Sequence, residues 1–176
     1  MPMTTSVDLL EDAFTRIRDT VRRAAGGLRE EELATRVDPE ANSIAWLVWH
    51  LTRVQDDHLA EVAGAEQVWT AEGWFDRFGL PFAPDATGYA QSSTEVGQVA
   101  GVSAELLVGY HEAVYSATVA YLHSLGETDL ARVVDTNWNP PVTLAVRLVS
   151  VVSDDLQHAG QASFVRGMLS RRSTTL

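Results

Sequence analysis

An all-α four-helix bundle with one long crossover is the fold this sequence predicts, and three observations predict it. Four long segments carry apolar residues at helical spacing. The second and third are separated by Ala65 to Val102, a stretch rich in glycine, proline and aromatic residues. Nowhere do apolar and polar residues alternate strongly enough to announce a sheet. At 176 residues the chain can bury a core without staples, so one domain over 1–176 is expected.

The first helix is expected from about Val7 to Leu28, with Ser6 as N-cap and Leu9, Leu10, Ala13, Phe14, Ile17 and Val21 on one stripe. Gly26-Gly27 marks its end, and Arg29 to Ala34 adds a short turn. The second begins near Asn42-Ser43 and runs to Gly64, its apolar face made by Ile44, Leu47, Val48, Leu51 and Val54. Within the crossover, Trp69 to Phe78 and Thr94 to Ala100 read as short helices. The third runs from an N-cap at Ser103 to Leu125, where Gly126 provides a left-handed terminus. The fourth starts around Pro140-Pro141, since proline is tolerated in a first turn, and runs to Leu169. Four helices and one long connection make a bundle.

Composition excludes several functions. A net charge of -11 argues against nucleic-acid binding, which needs Lys and Arg to neutralise phosphates. There is no cysteine, hence no disulfide, thiolate ligand or protein thiol nucleophile. Thiol chemistry here requires a thiol from a cosubstrate. All 13 basic residues are Arg, which points to a GC-rich coding background. No apolar run is long enough to span a bilayer, and Met1 to Glu11 lacks the features of a signal peptide. Cytoplasmic location is expected.

The chemistry concentrates in Asp154-Asp155-Leu156-Gln157-His158-Ala159-Gly160-Gln161. Residues i and i+4 share a helix face, so Asp154 and His158 are placed to grip one metal ion. The third ligand is expected from His50, in Trp46-Leu47-Val48-Trp49-His50-Leu51. At about 100° per residue, Asp154, Val151, Arg147, Gln161 and Val165 fall within ~60° of His158. Spacing alone leaves open an exposed ion pair and a hydrogen-bonded core histidine.

These segments also resemble a family. Ile44 to Leu51, with Asp154-x-x-x-His158-x-Gly160-Gln161 downstream, resembles the DinB-like (mycothiol-dependent maleylpyruvate isomerase N-terminal) superfamily. The similarity is greatest to its actinobacterial mycothiol transferases. Asp85-Ala-Thr-Gly88-Tyr89, Leu106-Leu-Val-Gly109-Tyr110-His111 and Trp138-Asn-Pro-Pro141-Val142-Thr143 extend it over roughly Val7 to Leu169. The resemblance implies a four-helix bundle holding zinc or nickel through three side chains. By motif, His50 and His158 match two histidine ligands. Asp154 stands where the wider family more often has histidine, although the mycothiol-dependent isomerases carry a carboxylate there. It further implies mycothiol as thiol cosubstrate, a small electrophilic substrate, and a homodimer.

The leading expectation is therefore a metal-dependent thiol S-transferase. A hydrolase using bound water, with Asp57 or Asp155 as acid or base, and a non-catalytic metal-clipped bundle stand beside it. Arg147 reads either as a clamp for an anionic substrate or cosubstrate group or as a structural partner of a bundle carboxylate. Gln161 is placed to hydrogen-bond a metal-bound ligand or a backbone carbonyl. Asp57 and His58 read as a polar helix flank, and His111 and His123 as incidental. Trp46 and Trp49 read as packing residues. Trp69, Trp74 and Phe75 read as a lid over the metal, a buried satellite cluster or a dimer surface. Asp135, Asn137 and Asn139 read as turn and capping residues.

Overall fold

Apolar residues recurring every three to four positions give the protein four long helices, seen in a computed structural model that describes residues 5–173. Met1 to Thr4, part of the stretch read for a signal, and the last three residues lie outside it. Helix α1 spans Ser6–Ala25. Its N-cap is Thr5, not Ser6: Thr5 Oγ1 accepts from the Asp8 amide at 3.1 Å, while Asp8 accepts from the Thr5 amide at 2.7 Å. This reciprocal capping box outcompetes a lone serine. Leu9 faces solvent, and the buried stripe runs through Phe14, Ile17, Val21, Ala24 and Ala25. After the short α2 (Glu30–Leu33), α3 runs over Ile44–Ala63, capped by Ser43 and ended by left-handed Gly64.

The crossover carries α4 (Val68–Ala71), α5 (Trp74–Phe78) and α6 (Ser93–Gly97). The expected Trp69–Phe78 helix is two helices because Gly73, at φ 69°, turns the chain between them. Helix α7 covers Ala104–His123 and starts at the Ser103 cap. It stops short of Gly126, which is not left-handed, and Ser124 closes it.

The fourth long helix, α8, spans Leu144–Ser173 and does not begin at Pro140-Pro141. Val142–Thr143 instead forms β2, antiparallel to β1 (Val133–Asp135), a small sheet the sequence did not announce. β-branched residues favour that pairing, and Thr143 Oγ1 then accepts from the Val146 amide at 3.4 Å in the first turn of α8.

Helix α8 lies along both α1 and α3, and α7 packs on the other side of the same pair. One apolar cluster joins all four long helices to the crossover. A buried polar cluster pins the crossover to α3. The Arg53 guanidinium donates to the Ala86 and Pro84 carbonyls at 3.0 and 3.3 Å. Asp56 accepts from the Val68 and Trp69 amides at 2.9 and 2.8 Å and from the Tyr110 hydroxyl at 2.7 Å. Irregular backbone is thereby supplied with the hydrogen bonds it lacks internally. Among the described residues, no helix is long and apolar enough to cross a membrane.

Candidate metal centre

Adjacent packing of α3 and α8 brings His50, Asp154 and His158 together, with one ligand atom from each lying within 4.8 Å of the others. His50 is buried and the α8 pair is half-buried. The His158 Nε2 to Asp154 Oδ1 distance is 3.7 Å.

Neighbours set the tautomers. His50 Nδ1 lies 2.5 Å from the Thr87 carbonyl oxygen, which only accepts, so Nδ1 carries the proton and Nε2 keeps its lone pair. His158 Nδ1 lies 3.0 Å from Gln161 Oε1, which assigns it the same tautomer. Metal-bound histidines are oriented by such acceptors. Burial, reinforced by His158, holds His50 below the ordinary imidazole pKa, against the opposing pull of the Thr87 hydrogen bond and Asp154. Neutral imidazole is the ligating form. Asp154 Oδ2 is buried without a hydrogen-bond partner. Two imidazole lone pairs beside an unsatisfied carboxylate oxygen suit a divalent cation.

Supports for this arrangement come from residues that periodicity does not mark. Trp46, expected to be packing, stacks on the His50 ring at 4.5 Å and 17° and meets His158 edge-on at 6.2 Å. Its Nε1–H donates to Gln91 Oε1 at 2.8 Å. Gly88, at φ 94°, leaves room for the imidazole: a Cβ there would sit 2.7 Å from His50 Nδ1.

His50 and Asp154 of the triad line a cavity of about 520 Å³. Val54 and Val151 form apolar wall, Thr87 and Tyr89 come from the crossover, and Asp57 and His58 also line the space. The sequence reading missed His58. Its only signal was its place two turns beyond His50, on a helix whose facing partner carries Arg147.

Other residues find different places. Arg147 contacts His58 Nδ1 at 2.7 Å, Glu61 at 3.3 Å and Asp135 at 3.0 Å. Of the two roles the sequence left for it, these contacts are those of a structural partner. Asp57 Oδ1 accepts from Gln67 Nε2 at 2.7 Å. Asp155 is fully buried away from the cavity, its carboxyl pKa raised well above the usual range by burial first and Asp154 second. It is not placed to act as the acid or base of a hydrolase. Trp69 packs on Phe75, Phe78 and Tyr110, so the crossover aromatics form the satellite cluster and not a lid. His111 is buried, and its Nδ1 meets Thr52 Oγ1 at 3.1 Å. His123 pairs with Glu11 at 2.7 Å.

Gln161 has a testable consequence. Gln161→Leu removes the acceptor that aims His158, and zinc affinity measured by chelator competition is expected to fall about 10–100-fold. Gln161→Glu retains an acceptor and should stay near wild type. Equal affinity in all three proteins would contradict the assigned tautomer.

Comparisons with known proteins follow the same lines. A crystal structure of a conserved protein from Enterococcus faecalis superposes with a TM-score of 0.87 at 28% identity, covering 93% of this chain and 96% of that one. No curated protein matches the chain. Residues 9–170 match the mycothiol-S-transferase family over nearly the full length of the DinB-like resemblance. The chain belongs to the mycothiol-S-transferase family.

Proposed function

We propose that this protein transfers the thiol of mycothiol to a small electrophile, at a zinc or nickel ion held by His50, Asp154 and His158. The observation that carries the reading is the triad itself: three convergent ligand atoms, each imidazole held with Nε2 free, with His50 and Asp154 lining a cavity. When bound, a divalent ion supplies the positive charge that favours the thiolate form of a thiol at neutral pH. Since the chain contains no cysteine, the nucleophilic sulfur comes from the cosubstrate.

The protein's own groups divide the remaining work. Asp154 contributes one negative charge and the neutral imidazoles none, so a loaded divalent ion keeps net positive charge toward an incoming thiolate. Thr87 and Gln161 fix the two rings, and Trp46 braces both. Val54 and Val151 line the cavity with apolar surface, where water competes less for the reacting groups. Arg147, already engaged by Asp135 and Glu61, acts through His58 and not as a clamp on substrate.

The test is conjugation of mycothiol to monobromobimane or chlorodinitrobenzene by zinc- or nickel-loaded protein. Turnover that disappears in His50→Ala is the expected result, and no turnover with either metal would remove the reading.

A homodimer belongs to the same proposal. Every exposed residue of α8 from Val146 to Phe164 is uncharged, in a chain of net charge -11. Val146, Val149, Leu156 and Phe164 are exposed apolar residues on that helix. Uncharged apolar surface of this kind marks interfaces, and a second copy meets no like charge there. Sedimentation velocity is expected to show twice the chain mass, reduced to one chain in Val149→Glu/Phe164→Glu. A monomeric wild type would contradict it.

A further inference from the structure

The cavity that His50 and Asp154 line has a further polar wall, whose tautomer its neighbours set. His58 lines the same space as His50 and Asp154. Its Nδ1 lies 2.7 Å from Arg147 Nη1. A guanidinium only donates and does not lose its proton, so His58 Nδ1 is the acceptor and the ring proton sits on Nε2. Arg147 is itself held between Asp135 on β1, at 3.0 Å, and Glu61 on α3, at 3.3 Å.

Charging His58 would set a second N–H against the guanidinium. Burial, then Arg147, holds the imidazole below its ordinary pKa, while Asp57 and Glu61 on α3 and Asp154 on α8 pull the other way. Its side chain is 35% exposed, Nδ1 lies 3.9 Å from Glu61 Oε2, beyond hydrogen-bond reach, and Nε2 makes no hydrogen bond among the described residues. The ring that lines the cavity therefore carries a neutral N–H, a donor without charge.

We propose that His58 is a catalytic hydrogen-bond donor to an oxygen on the electrophile, and that the substrate class is one in which thiolate attack drives negative charge onto that oxygen, as in epoxides and conjugated carbonyls. This rests on the thiol-transfer reading above. The sulfur electron pair forms the C–S bond, and the pair displaced from carbon collects on oxygen. A solvent proton then completes the product. His58 keeps its proton throughout, because a neutral imidazole is a good donor but a very weak acid, and a fixed donor aimed at developing charge accelerates without ionising.

Two measurements test it. The first reads the ring directly, by nitrogen–proton NMR of labelled protein without metal. His58 is expected as the Nε2–H tautomer with no titration near pH 6.5, while Arg147→Gln, which leaves burial in place, moves its titration upward. An Nδ1–H tautomer, or ordinary titration in wild type, overturns the proposal. The second compares mycothiol conjugation of styrene oxide with that of benzyl chloride, which has no oxygen. His58→Leu is expected to lower kcat/KM for styrene oxide about 100-fold, in line with loss of one oxyanion donor. Benzyl chloride should be unaffected, metal content unchanged, and His58→Gln should rescue by keeping an N–H. Equal losses on both probes overturn the substrate assignment. Absence of turnover on both by the loaded wild type overturns the thiol-transfer reading instead, leaving the tautomer result to stand or fall separately.

Discussion

Asp56→Ala is expected to lower unfolding stability by about 3–5 kcal/mol, the cost of orphaning a buried charge. Asp56 is 3% exposed and Arg53 wholly buried, with Arg53 Nη1 3.6 Å from Asp56 Oδ2. Removing the carboxylate strands that guanidinium and uncaps the Val68 and Trp69 amides at the start of α4. For a chain of this length the melting temperature should fall by roughly 10 °C. The pair itself is not a large net source of stability: burial keeps the Asp56 pKa above its ordinary value, despite hydrogen bonds from Tyr110, Trp69 and Val68 and the charge of Arg53. The double variant Arg53→Met/Asp56→Leu should therefore be less destabilised than Asp56→Ala. Asp57→Ala, which loses one half-exposed hydrogen bond to Gln67, should cost under about 1 kcal/mol. Urea melts of the four proteins check this ordering, and an Asp56→Ala protein as stable as Asp57→Ala would contradict it.

Gly88→Ala should damage the centre without touching a ligand. The new Cβ would lie 2.7 Å from His50 Nδ1 and 3.0 Å from Trp49 Cζ3, so His50 must leave its hydrogen bond to Thr87. Loss of such an orienting contact costs about 10–100-fold in metal affinity. Gly101→Ala is the matched control: φ is +69°, but a Cβ there meets nothing within 4 Å. Both variants carry left-handed strain of about 1–2 kcal/mol. Only Gly88→Ala should bind zinc more weakly in a competition titration. Parallel losses in both would mean that strain, and not contact with His50, is responsible.

What could be read from the sequence follows from the range over which each signal acts. The four long helices were legible because their stripes repeat over five or more turns, and Ser43 and Ser103 cap as their positions imply. The start of α8 was misread because Pro140-Pro141 satisfies a local first-turn rule. The deciding interaction is the pairing of Val133 with Thr143, across a hairpin too short to show alternation. Asp154 and His158 stood out through i,i+4 spacing, His50 was the candidate for the third ligand on the second helix, and the family motif matched it. The crossover's share of the cavity and the role of His58 were hidden. Thr87 and Gly88 lie in irregular crossover backbone, which has no period to detect. His58 gains its donor role from Arg147, and Arg147 is steadied by Asp135, which sequence alone placed in a turn. Such three-element contacts exist only after folding.

The central claim is that His50, Asp154 and His158 hold a metal ion. Elemental analysis of the purified protein, reconstituted with zinc or nickel and desalted, tests it most directly when wild type is set beside Asp154→Ala. The account predicts about one divalent ion per chain in wild type, as expected for a three-ligand site, and little in the variant. Full occupancy in Asp154→Ala would mean that the metal is held elsewhere or by another third ligand.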